Sequence, residues 1–321
     1  MKILITGGAG FIGSNFVRYM VNKYPEHKFL VFDKLTYAGN LDNLKDIESK
    51  ENYHFIHGDV CDLNFMVYIL KYVDVVFHLA AESHVDNSIG NSLEFTRTNA
   101  LGTHVILEAA RINGVKKFIH VSTDEVYGDI EEGSFSESDK LAPNNPYSAS
   151  KAAAEMIAQG YLKTYKMPII MTRGNNTYGP YQYPEKIVPK FVCNLIQGKK
   201  VPIHGSGLHI RSYIHVHDVC RALDTIFQKG EIGEIYNIGT AFELPNIELT
   251  KLILKKMGKD ESFIEHIEDG PFNDTRYSID LRKIEALGWK PEIEFEQGIN
   301  ETIQWYIDNP GWWKKILNCK S

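Results

Sequence analysis

The sequence predicts an α/β fold in which a doubly wound parallel sheet is joined to a smaller mixed α/β domain. Two observations lead to this prediction. Short β-rich apolar runs alternate with amphipathic stretches through the first half of the chain, and a glycine-rich segment joins the first run to the first stretch. Each right-handed crossover between parallel strands needs a helix to bring the chain back, so this alternation indicates a parallel sheet. The first half is therefore predicted to be a Rossmann-type domain.

Six strands and four helices are expected in this first half, from the length and periodicity of their apolar positions. The predicted strands are Lys2–Thr6, Lys28–Asp33, Tyr53–His57, Val75–Leu79, Lys117–Ser122 and Pro168–Arg173. The predicted helices between them are Phe11–Lys23, Leu63–Lys71, Ser92–Asn113 and Tyr147–Tyr165.

Beyond Gly174 the alternation loosens, because three prolines interrupt the next stretch of chain. Shorter elements are expected there: a helix over Ile187–Gln197, strands over Val201–His204 and Ser212–Val216, and helices over Asp218–Gln228, Asn246–Met257 and Gln297–Asp308. We assign residues 1–172 and about 213–240 to the first domain, and about 173–212 and 241–321 to a second, substrate-binding domain. A crevice between two such domains is the natural place for a ligand.

Composition excludes several classes of function. The 321 residues are 43% hydrophobic, 24% charged and 12% aromatic, as in folded globular proteins with a sizeable core. The net charge of -6 gives no basic surface for nucleic acid or an anionic membrane. No apolar run approaches the ~18 residues of a membrane span, and the first residues lack a signal-peptide pattern, so a cytoplasmic location is expected. The dispersed cysteines form no CxxC pair, and no metal site is predicted.

The glycine-rich segment Gly7–Gly13 lies between the first predicted strand and the first predicted helix. Glycines there permit a tight turn and a close backbone approach to a pyrophosphate, which the free N–H groups at the helix N-terminus bind. An isolated glycine turn has no such meaning, but this position between strand and helix predicts dinucleotide binding. The residues assigned to this role are Gly7, Gly10, Phe11, Ile12 and Gly13.

Asp33 ends the second predicted strand about twenty residues after this loop. An acidic residue at this place accepts hydrogen bonds from the adenosine ribose hydroxyls, which favours NAD over NADP. The neighbouring Lys34 weakens the discrimination, because a cation tolerates a 2′-phosphate.

Tyr147 and Lys151 lie four residues apart at the start of a predicted helix, so both side chains share one face. A tyrosine with an ordinary pKa near ~10 needs a neighbouring cation to act as a base around neutrality. A surface pair is the alternative for an isolated YxxxK pattern. Downstream of a dinucleotide loop, however, the pair resembles the catalytic pair of the short-chain dehydrogenase/reductases.

Thr123, Asp124 and Glu125 follow the fifth predicted strand, at the end where ligands of open α/β sheets bind. Two adjacent carboxyl groups there suggest acid and base roles, and the hydroxyl of Ser122 or Thr123 is expected to contact a substrate hydroxyl. A solvated loop is the alternative.

Several segments together resemble the nucleoside-diphosphate-glucose 4,6-dehydratases, which are extended short-chain dehydrogenases. The resemblance runs nearly end to end, and the Thr-Asp-Glu element separates these enzymes from the related 4-epimerases. It is carried by Gly7–Gly13, Asp33–Leu41, Ala80–Asp86, Thr123–Glu125, Tyr147–Lys151 and Tyr178–Gln182.

The resemblance implies a redox-neutral reaction that uses NAD. Tyr147 removes the O4 proton during oxidation at C4, Glu125 then takes the C5 proton, and Asp124 protonates the departing C6 hydroxyl. The product is a 4-keto-6-deoxy sugar. Thr123 and Lys151 are implied as further catalytic residues.

The resemblance also implies two sets of binding residues. For the cofactor these are Lys34, Thr36, Asp59, Val60, Leu79, Ala80, Ala81, Thr98, Tyr147 and Lys151, in addition to Asp33 and the glycine segment. For the sugar nucleotide they are Ser83, Thr123, Asn176, Lys186 and Arg211. A surface role is the alternative for Lys186 and Arg211.

Two other functions stay open: a nucleotide-sugar 4-epimerase that uses the same Tyr147, Lys151 and NAD, and a nonenzymatic regulator that binds NAD or a sugar nucleotide. Homodimerisation through the Tyr147 helix and the Ser92–Asn113 segment is a family expectation. Three segments resemble plant UDP-rhamnose synthases and favour UDP-glucose over dTDP-glucose: Arg173–Asn176, Pro271–Tyr277, where bacterial dTDP enzymes more often have a histidine at Asn273, and Asn309–Trp313.

Overall fold

The computed structural model describes residues 1–269 and 274–318, and its strands fall into three sheets. The strands are β1 (Lys2–Thr6), β2 (Lys28–Asp33), β3 (Tyr53–His57), β4 (Val75–His78), β5 (Lys117–Thr123), β6 (Ile169–Gly174), β7 (Asn176–Tyr178), β8 (Val201–His204), β9 (Ile210–His215), β10 (Ile235–Ile238), β11 (Glu243–Pro245) and β12 (Ile264–Ile267). The helices are α1 (Phe11–Lys23), α2 (Leu63–Leu70), α3 (Val85–Gly90), α4 (Ser92–Phe95), α5 (Gly102–Asn113), α6 (Pro146–Tyr165), α7 (Ile187–Ile196), α8 (Val216–Lys229), α9 (Asn246–Lys256), α10 (Arg282–Glu285), α11 (Phe295–Asp308) and α12 (Pro310–Asn318).

The largest sheet has seven parallel strands in the order β3-β2-β1-β4-β5-β6-β10. Six of them are the predicted strands, so the predicted α/β fold with a doubly wound parallel sheet is confirmed. The seventh strand, β10, escaped prediction because it has only four residues, and Asn237 interrupts its apolar run.

Helices cover both faces of this sheet. Residues of α1 and α8 pack into one apolar core, and residues of α2, α5 and α6 pack into a second core on the other face. The chain runs outward from β1 to β3 and then returns to the other side of β1 at β4. Open α/β sheets bind ligands where the strand order reverses in this way, so the carboxyl ends of β1 and β4 mark the expected site.

A third apolar core is built mainly by α7, α9, α11 and α12, which pack around the smaller sheets β11-β9-β7 and β12-β8. The division of the chain into two domains stays a prediction. Ile284 and Trp289, in the stretch that we assigned to the second domain, pack into the first core beside α1 and α8.

The local structure differs from the sequence expectation in two places that matter for the site. The predicted helix Ser92–Asn113 is divided into α4, a π-helical turn over Thr96–Leu101, and α5. The predicted strand Ser212–Val216 corresponds to β9, which begins two residues earlier, at Ile210. It ends at His215, and α8 begins directly at Val216. Among the helices in the described ranges, none combines the length and apolarity that a membrane crossing requires.

Candidate active site

A cleft of about 290 Å³ opens along the carboxyl ends of the parallel strands. The predicted cofactor and catalytic residues line it, with the exception of Lys151. Four of the five predicted substrate residues also line it, and Arg211 does not. The lining residues that were predicted are Gly7, Gly10, Phe11, Ile12, Gly13, Asp33, Lys34, Thr36, Asp59, Val60, Leu79, Ala80, Ala81, Ser83, Thr98, Thr123, Asp124, Glu125, Tyr147, Asn176 and Lys186.

The glycine-rich loop is packed so tightly that side chains do not fit at three of its positions, Gly7, Gly8 and Gly13. Gly7 has a φ of 68°, and a Cβ on it would lie 2.7 Å from the backbone nitrogen of Ala80. A Cβ on Gly13 would lie 2.0 Å from the Gly7 carbonyl oxygen. In the described chain no side chain caps the N-terminus of α1, so its first N–H groups stay open to an anion.

Asp33 connects the glycine-rich loop to the end of β2. Its Oδ2 accepts the backbone N–H of Ala9 at 2.9 Å, and its Oδ1 accepts that of Leu35 at 2.8 Å. Burial raises the pKa of Asp33 although both hydrogen bonds favour the charged form. The neighbouring Lys34 Nζ lies 3.0 Å from Asp59 Oδ2, so this ammonium is already paired with a carboxylate.

The first turn of α6 carries Tyr147 in a fixed position. Asn145 and Ser148 form a capping box, with Asn145 Oδ1 accepting the Ser148 N–H at 2.9 Å, and Pro146 opens the helix. The Tyr147 side chain reaches the cleft. Lys151 lies one turn later beneath the cleft wall, where its Nζ donates to the Val121 carbonyl at 2.7 Å.

The electrostatics of Tyr147 differ from the sequence expectation. Lys151 was expected to lower the pKa of the phenol. Burial has the largest effect on the pKa of Tyr147 and raises it, and the Glu125 carboxylate raises it further. A hydrogen bond with the Thr123 side chain acts in the opposite direction. Burial also lowers the pKa of Lys151 to about 8.

Asp124 is a buried carboxyl group that is suited to act as an acid. Burial raises its pKa to about 7, and a hydrogen bond from Asn175 Nδ2 to Asp124 Oδ2, 2.7 Å long, opposes that shift. Thr123 Oγ1 donates to the other oxygen, Oδ1, at 3.3 Å. A carboxyl group with a pKa near neutrality carries a proton for a substantial fraction of the time at physiological pH.

Glu125 faces the cleft beside Asp124. Burial raises its pKa, whereas the Lys186 and Arg211 charges and a hydrogen bond from Asn145 lower it. The Asn145 Nδ2 to Glu125 Oε2 distance is 3.4 Å. The two carboxyl groups therefore have different surroundings, as groups with separate acid and base roles require.

The predicted substrate residues are divided between two adjoining cavities. Lys186 and Asn176 line both of them, whereas Arg211 lines only the second, a cavity of about 150 Å³ beside Tyr277. The Arg211 guanidinium lies 4.7 Å from the centre of the Tyr277 ring, and the Lys186 Nζ donates to the Ser83 carbonyl at 2.9 Å.

Three asparagines escaped the sequence prediction although they contact residues that line the cleft. Asn175 bonds to Asp124, Asn145 bonds to Glu125, and Asn99 bonds to the backbone of Glu82 at 2.8 Å and 3.0 Å. Asn145 precedes a proline at a helix start, which is a capping signal. Asn175 follows β6 at the carboxyl end of the sheet, where the strand rule would have found it.

Comparison with known proteins identifies the family. The chain matches the family described as GDP-mannose 4,6 dehydratase over residues 4–302. It is 46% identical over 321 residues to a dTDP-glucose 4,6-dehydratase of Streptomyces niveus, covering 98% of this chain and 96% of that protein. The crystal structure of the dTDP-glucose 4,6-dehydratase DesIV from Streptomyces venezuelae, with NAD and TYD bound, superposes with a TM-score of 0.97 at 45% identity, covering 98% of this chain and 100% of that one.

A plant relative matches equally well. The chain is 47% identical over 322 residues to an Arabidopsis thaliana protein named trifunctional UDP-glucose 4,6-dehydratase/UDP-4-keto-6-deoxy-D-glucose 3,5-epimerase/UDP-4-keto-L-rhamnose-reductase. The match covers 98% of this chain and 48% of the plant protein, so the chain spans about half the length of that relative. The resemblance to nucleoside-diphosphate-glucose 4,6-dehydratases is thereby confirmed, and the chain belongs to the GDP-mannose 4,6 dehydratase family.

Proposed function

We propose that this protein is an NAD-dependent nucleoside-diphosphate-glucose 4,6-dehydratase that forms the 4-keto-6-deoxy sugar. The observation that carries the proposal is the presence of two carboxyl groups, Asp124 and Glu125, in the same cleft as Tyr147. A 4-epimerase needs only oxidation at C4 and return of the hydride to the opposite face of C4, whereas loss of water from C5 and C6 needs an acid and a base in addition.

The cleft fits a dinucleotide. Four of its lining residues have buried polar atoms without a hydrogen-bond partner in the described chain: Ser122 Oγ, Thr172 Oγ1, Asn176 Nδ2 and Gln182 Oε1. Buried polar groups normally have partners, so these atoms mark positions for a polar ligand. Gly7–Gly13 would hold the pyrophosphate at the start of α1, and Asp33 would hold the adenosine ribose.

NAD supplies the group that accepts hydrogen from C4 and returns it to C6. The protein's own part begins at Tyr147, whose phenolate takes the O4 proton as C4 becomes a carbonyl. Lys151 stabilises the phenolate by its positive charge. The Thr123 side chain forms a hydrogen bond with the phenol oxygen of Tyr147. The carbonyl makes the C5 hydrogen acidic.

Elimination then uses the two carboxyl groups in separate roles. Burial raises the pKa of Glu125, but the positive charges of Lys186 and Arg211 favour its charged form, in which it takes the C5 proton. Asp124, with its pKa raised to about 7 by burial, holds a proton that it gives to the departing C6 hydroxyl. Glu125 finally returns its proton to C5 when C6 is reduced, so the sugar loses one water and keeps its oxidation level.

Product analysis tests this function against the two alternatives. The purified protein is incubated with UDP-glucose and with dTDP-glucose, and the sugar product is identified by mass spectrometry and NMR. A 4-keto-6-deoxy sugar, lighter by one water, is expected. The C4 epimer of unchanged mass would mean a 4-epimerase, and tight binding without turnover would mean a nonenzymatic regulator.

For the nucleotide we propose UDP-glucose as the better substrate, with dTDP-glucose second. The proposal rests on the resemblance of Arg173–Asn176, Pro271–Tyr277 and Asn309–Trp313 to plant enzymes. Asn273 lies outside the described residues. Arg173 pairs with the buried Glu155 at 2.7 Å, so its guanidinium already has a structural partner.

The ratio of kcat/KM for the two sugar nucleotides under identical conditions decides between them. An apolar contact with one methyl group changes such a ratio by only ~1–3 kcal/mol, so a moderate preference for UDP-glucose is expected. A clear preference for dTDP-glucose would show that the three segments reflect ancestry rather than base recognition.

We also propose that the protein is a cytoplasmic homodimer that associates through α5 and α6. Apolar side chains on and beside these helices are exposed, among them Leu101 at 49%, Met156 at 49% and Tyr165 at 53%. A second copy of the chain that packs on these helices would bury such side chains. Sedimentation analysis should give a dimer, and Met156→Asp should shift the protein towards the monomer. A monomeric wild-type protein would contradict the proposal.

A further inference from the structure

Gln182, which lines the cleft, has a buried oxygen atom without a hydrogen-bond partner. The residue is 7% exposed. Its Nε2 donates to the Thr177 carbonyl at 2.8 Å, whereas its Oε1 has no partner within residues 1–269 and 274–318. A buried oxygen that lacks a donor destabilises the fold, so this atom indicates a place for a hydrogen-bond donor of the bound ligand.

The orientation of the Gln182 amide follows from its neighbour. An amide nitrogen carries two N–H donors, and an amide oxygen only accepts. Because the Thr177 carbonyl also only accepts, the nitrogen must point towards it, and the oxygen is the end that stays unpaired. The ligand must therefore offer a donor to Gln182, which excludes the pyrophosphate oxygens of a dinucleotide.

A short series of contacts connects Gln182 to the catalytic end of the cleft. The Oγ1 of Thr177 donates to the Asn175 carbonyl at 3.3 Å, and the Asn175 side chain donates to Asp124 at 2.7 Å. Asn175 directly follows β6. Asp33, which we assign to the adenosine ribose, ends β2, and β2 lies four strands away from β6 in the sheet. The donor that Gln182 requires therefore belongs to the half of the ligand away from the adenosine.

An apolar wall lies beside this part of the cleft. The segment that leads to Gln182 packs against the start of α8, since a Cβ on Gly179 would lie 2.7 Å from the Val216 side chain. Further along α8, Val219 and Leu223 line the cleft, together with Ile238 of β10. Apolar side chains suit the face of an aromatic ring, whereas they leave ribose hydroxyls without partners.

The aromatic ring that accepts hydride in NAD is the nicotinamide, whose one hydrogen-bond donor is the NH2 of its carboxamide. In the proposed function, on which this inference rests, the ring lies beside the sugar carbon whose hydroxyl proton Tyr147 takes. We propose that Gln182 Oε1 accepts a hydrogen bond from the carboxamide N–H of NAD. Such a contact fixes which face of the ring meets the sugar, because a half turn of the ring would move the carboxamide away from Gln182.

The test measures whether Gln182 and the carboxamide N–H recognise each other. The probe is 3-acetylpyridine adenine dinucleotide, in which a methyl group replaces the carboxamide NH2. The holoenzyme is equilibrated with a known excess of NAD and of this analogue, separated from free nucleotide by gel filtration, and denatured. Chromatography of the released nucleotides gives the bound ratio, and dividing it by the free ratio gives the ratio of the two Kd values.

Gln182→Met keeps the length of the side chain and removes its amide. Gln197→Met is the matched control, because Gln197 Nε2 also donates to a backbone carbonyl, that of Cys193 at 3.0 Å. Gln197 is exposed and does not line the cleft. Loss of the bond to Thr177 in Gln182→Met affects both nucleotides alike, so it cancels from the ratio.

The wild-type protein should bind NAD more tightly than the analogue, and Gln182→Met should reduce this preference ~5-fold, the effect of one hydrogen bond. Gln197→Met should keep the wild-type ratio. A preference that Gln182→Met retains in full would overturn the proposal, because the donor to Gln182 would then lie on another group. Equal binding of the two nucleotides by the wild type would overturn it without any variant, so the test does not depend on the folding of Gln182→Met.

The measurement contains no sugar nucleotide, so it fails separately from the proposed function. An unchanged ratio in a protein that forms the 4-keto-6-deoxy sugar contradicts only the role of Gln182. The expected change of ratio in a protein that forms no such sugar contradicts only the dehydration.

Discussion

The indole N–H of Trp312 in α12 donates to Asn43 Oδ1 at 2.7 Å. The Nδ2 of the same asparagine donates to the Ala9 carbonyl, within the glycine-rich loop, at 2.9 Å. Two hydrogen bonds thus join the last helix of the chain to the loop that we assign to the cofactor. An ion pair between Lys315 and Asp42, 3.1 Å long, lies beside them.

Trp312→Phe should weaken cofactor binding, although Trp312 does not line the cleft. The variant keeps an aromatic ring and removes the N–H that holds Asn43, which is 1% exposed. A buried acceptor that loses its donor destabilises the fold by ~1–3 kcal/mol. Part of that free energy is lost from the conformation of the glycine-rich loop. We expect the Kd for NAD, measured by calorimetry, to rise ~3- to 10-fold.

Lys315→Ala is the matched control on the same helix. It removes only an exposed ion pair, whose two side chains are 68% and 26% exposed, and such pairs contribute ~0–1 kcal/mol. An unchanged NAD affinity in Trp312→Phe, with the same helix content as the wild type, would mean that α12 does not position the loop.

The sequence predicted the elements that have local signals and missed those that depend on the tertiary structure. β1 to β6 and the Gly7–Gly13 loop were predicted because apolar runs and glycine spacing are local. The four-residue β10 forms only because β6 provides a parallel edge for it. The hydrogen bond between Trp312 and Asn43 joins positions 269 residues apart, and no sequence pattern specifies such a pair.

The same distinction applies within the site. Tyr147 and Lys151 were predicted to share a helix face, which their spacing of four residues determines. The contacts of Asp124 with Asn175 and of Glu125 with Asn145 depend on how β5, β6 and α6 are arranged. The pKa of Tyr147 was expected to be lowered, but burial, which composition does not reveal, raises it.

Glu125→Gln should separate oxidation from elimination. The base acts only after the ketone has formed, so the variant should still oxidise C4 but lose water at least ~10²-fold more slowly. Acid quenching followed by mass spectrometry should detect a 4-keto sugar that retains its C6 hydroxyl.

Tyr147→Phe is the comparison for this experiment and should give no 4-keto sugar. The division of roles is wrong if Glu125→Gln dehydrates at the wild-type rate. It is equally wrong if that variant, folded and with its full content of NAD, loses C4 oxidation as completely as Tyr147→Phe does.

The pH dependence of kcat should report the protonation of Asp124. An acid must hold its proton to act, and burial raises the pKa of Asp124 to about 7, so kcat should fall as the pH rises through that value. The hydrogen bond from Asn175 favours the charged form and lowers this pKa. Asn175→Ala should therefore move the alkaline limb of the profile to higher pH. A limb that stays in place or moves to lower pH would remove Asp124 as its source.

The choice between NAD and NADP depends on Asp33 and on the partners of Lys34. NADP differs from NAD by a 2′-phosphate, whose negative charge the Asp33 carboxylate would repel at the end of β2. Lys34 could offset that repulsion if its ammonium were free. Its Nζ instead lies 3.0 Å from Asp59 and 3.6 Å from Glu94. The local charge therefore favours NAD.

Denaturing the purified protein should release NAD as the dominant nucleotide, and NADP in its place would contradict the assignment. Asp33→Asn removes the repelling charge with little change of shape, so the ratio of the Kd values for NADP and NAD should fall by ~10-fold, or about 1.4 kcal/mol. Asp62→Asn serves as the control for charge, because Asp62 is exposed, caps α2 and does not line the cleft. If both variants changed the ratio equally, the preference would come from the net charge of the protein. A fall confined to Asp33→Asn would assign it to the ribose contact itself.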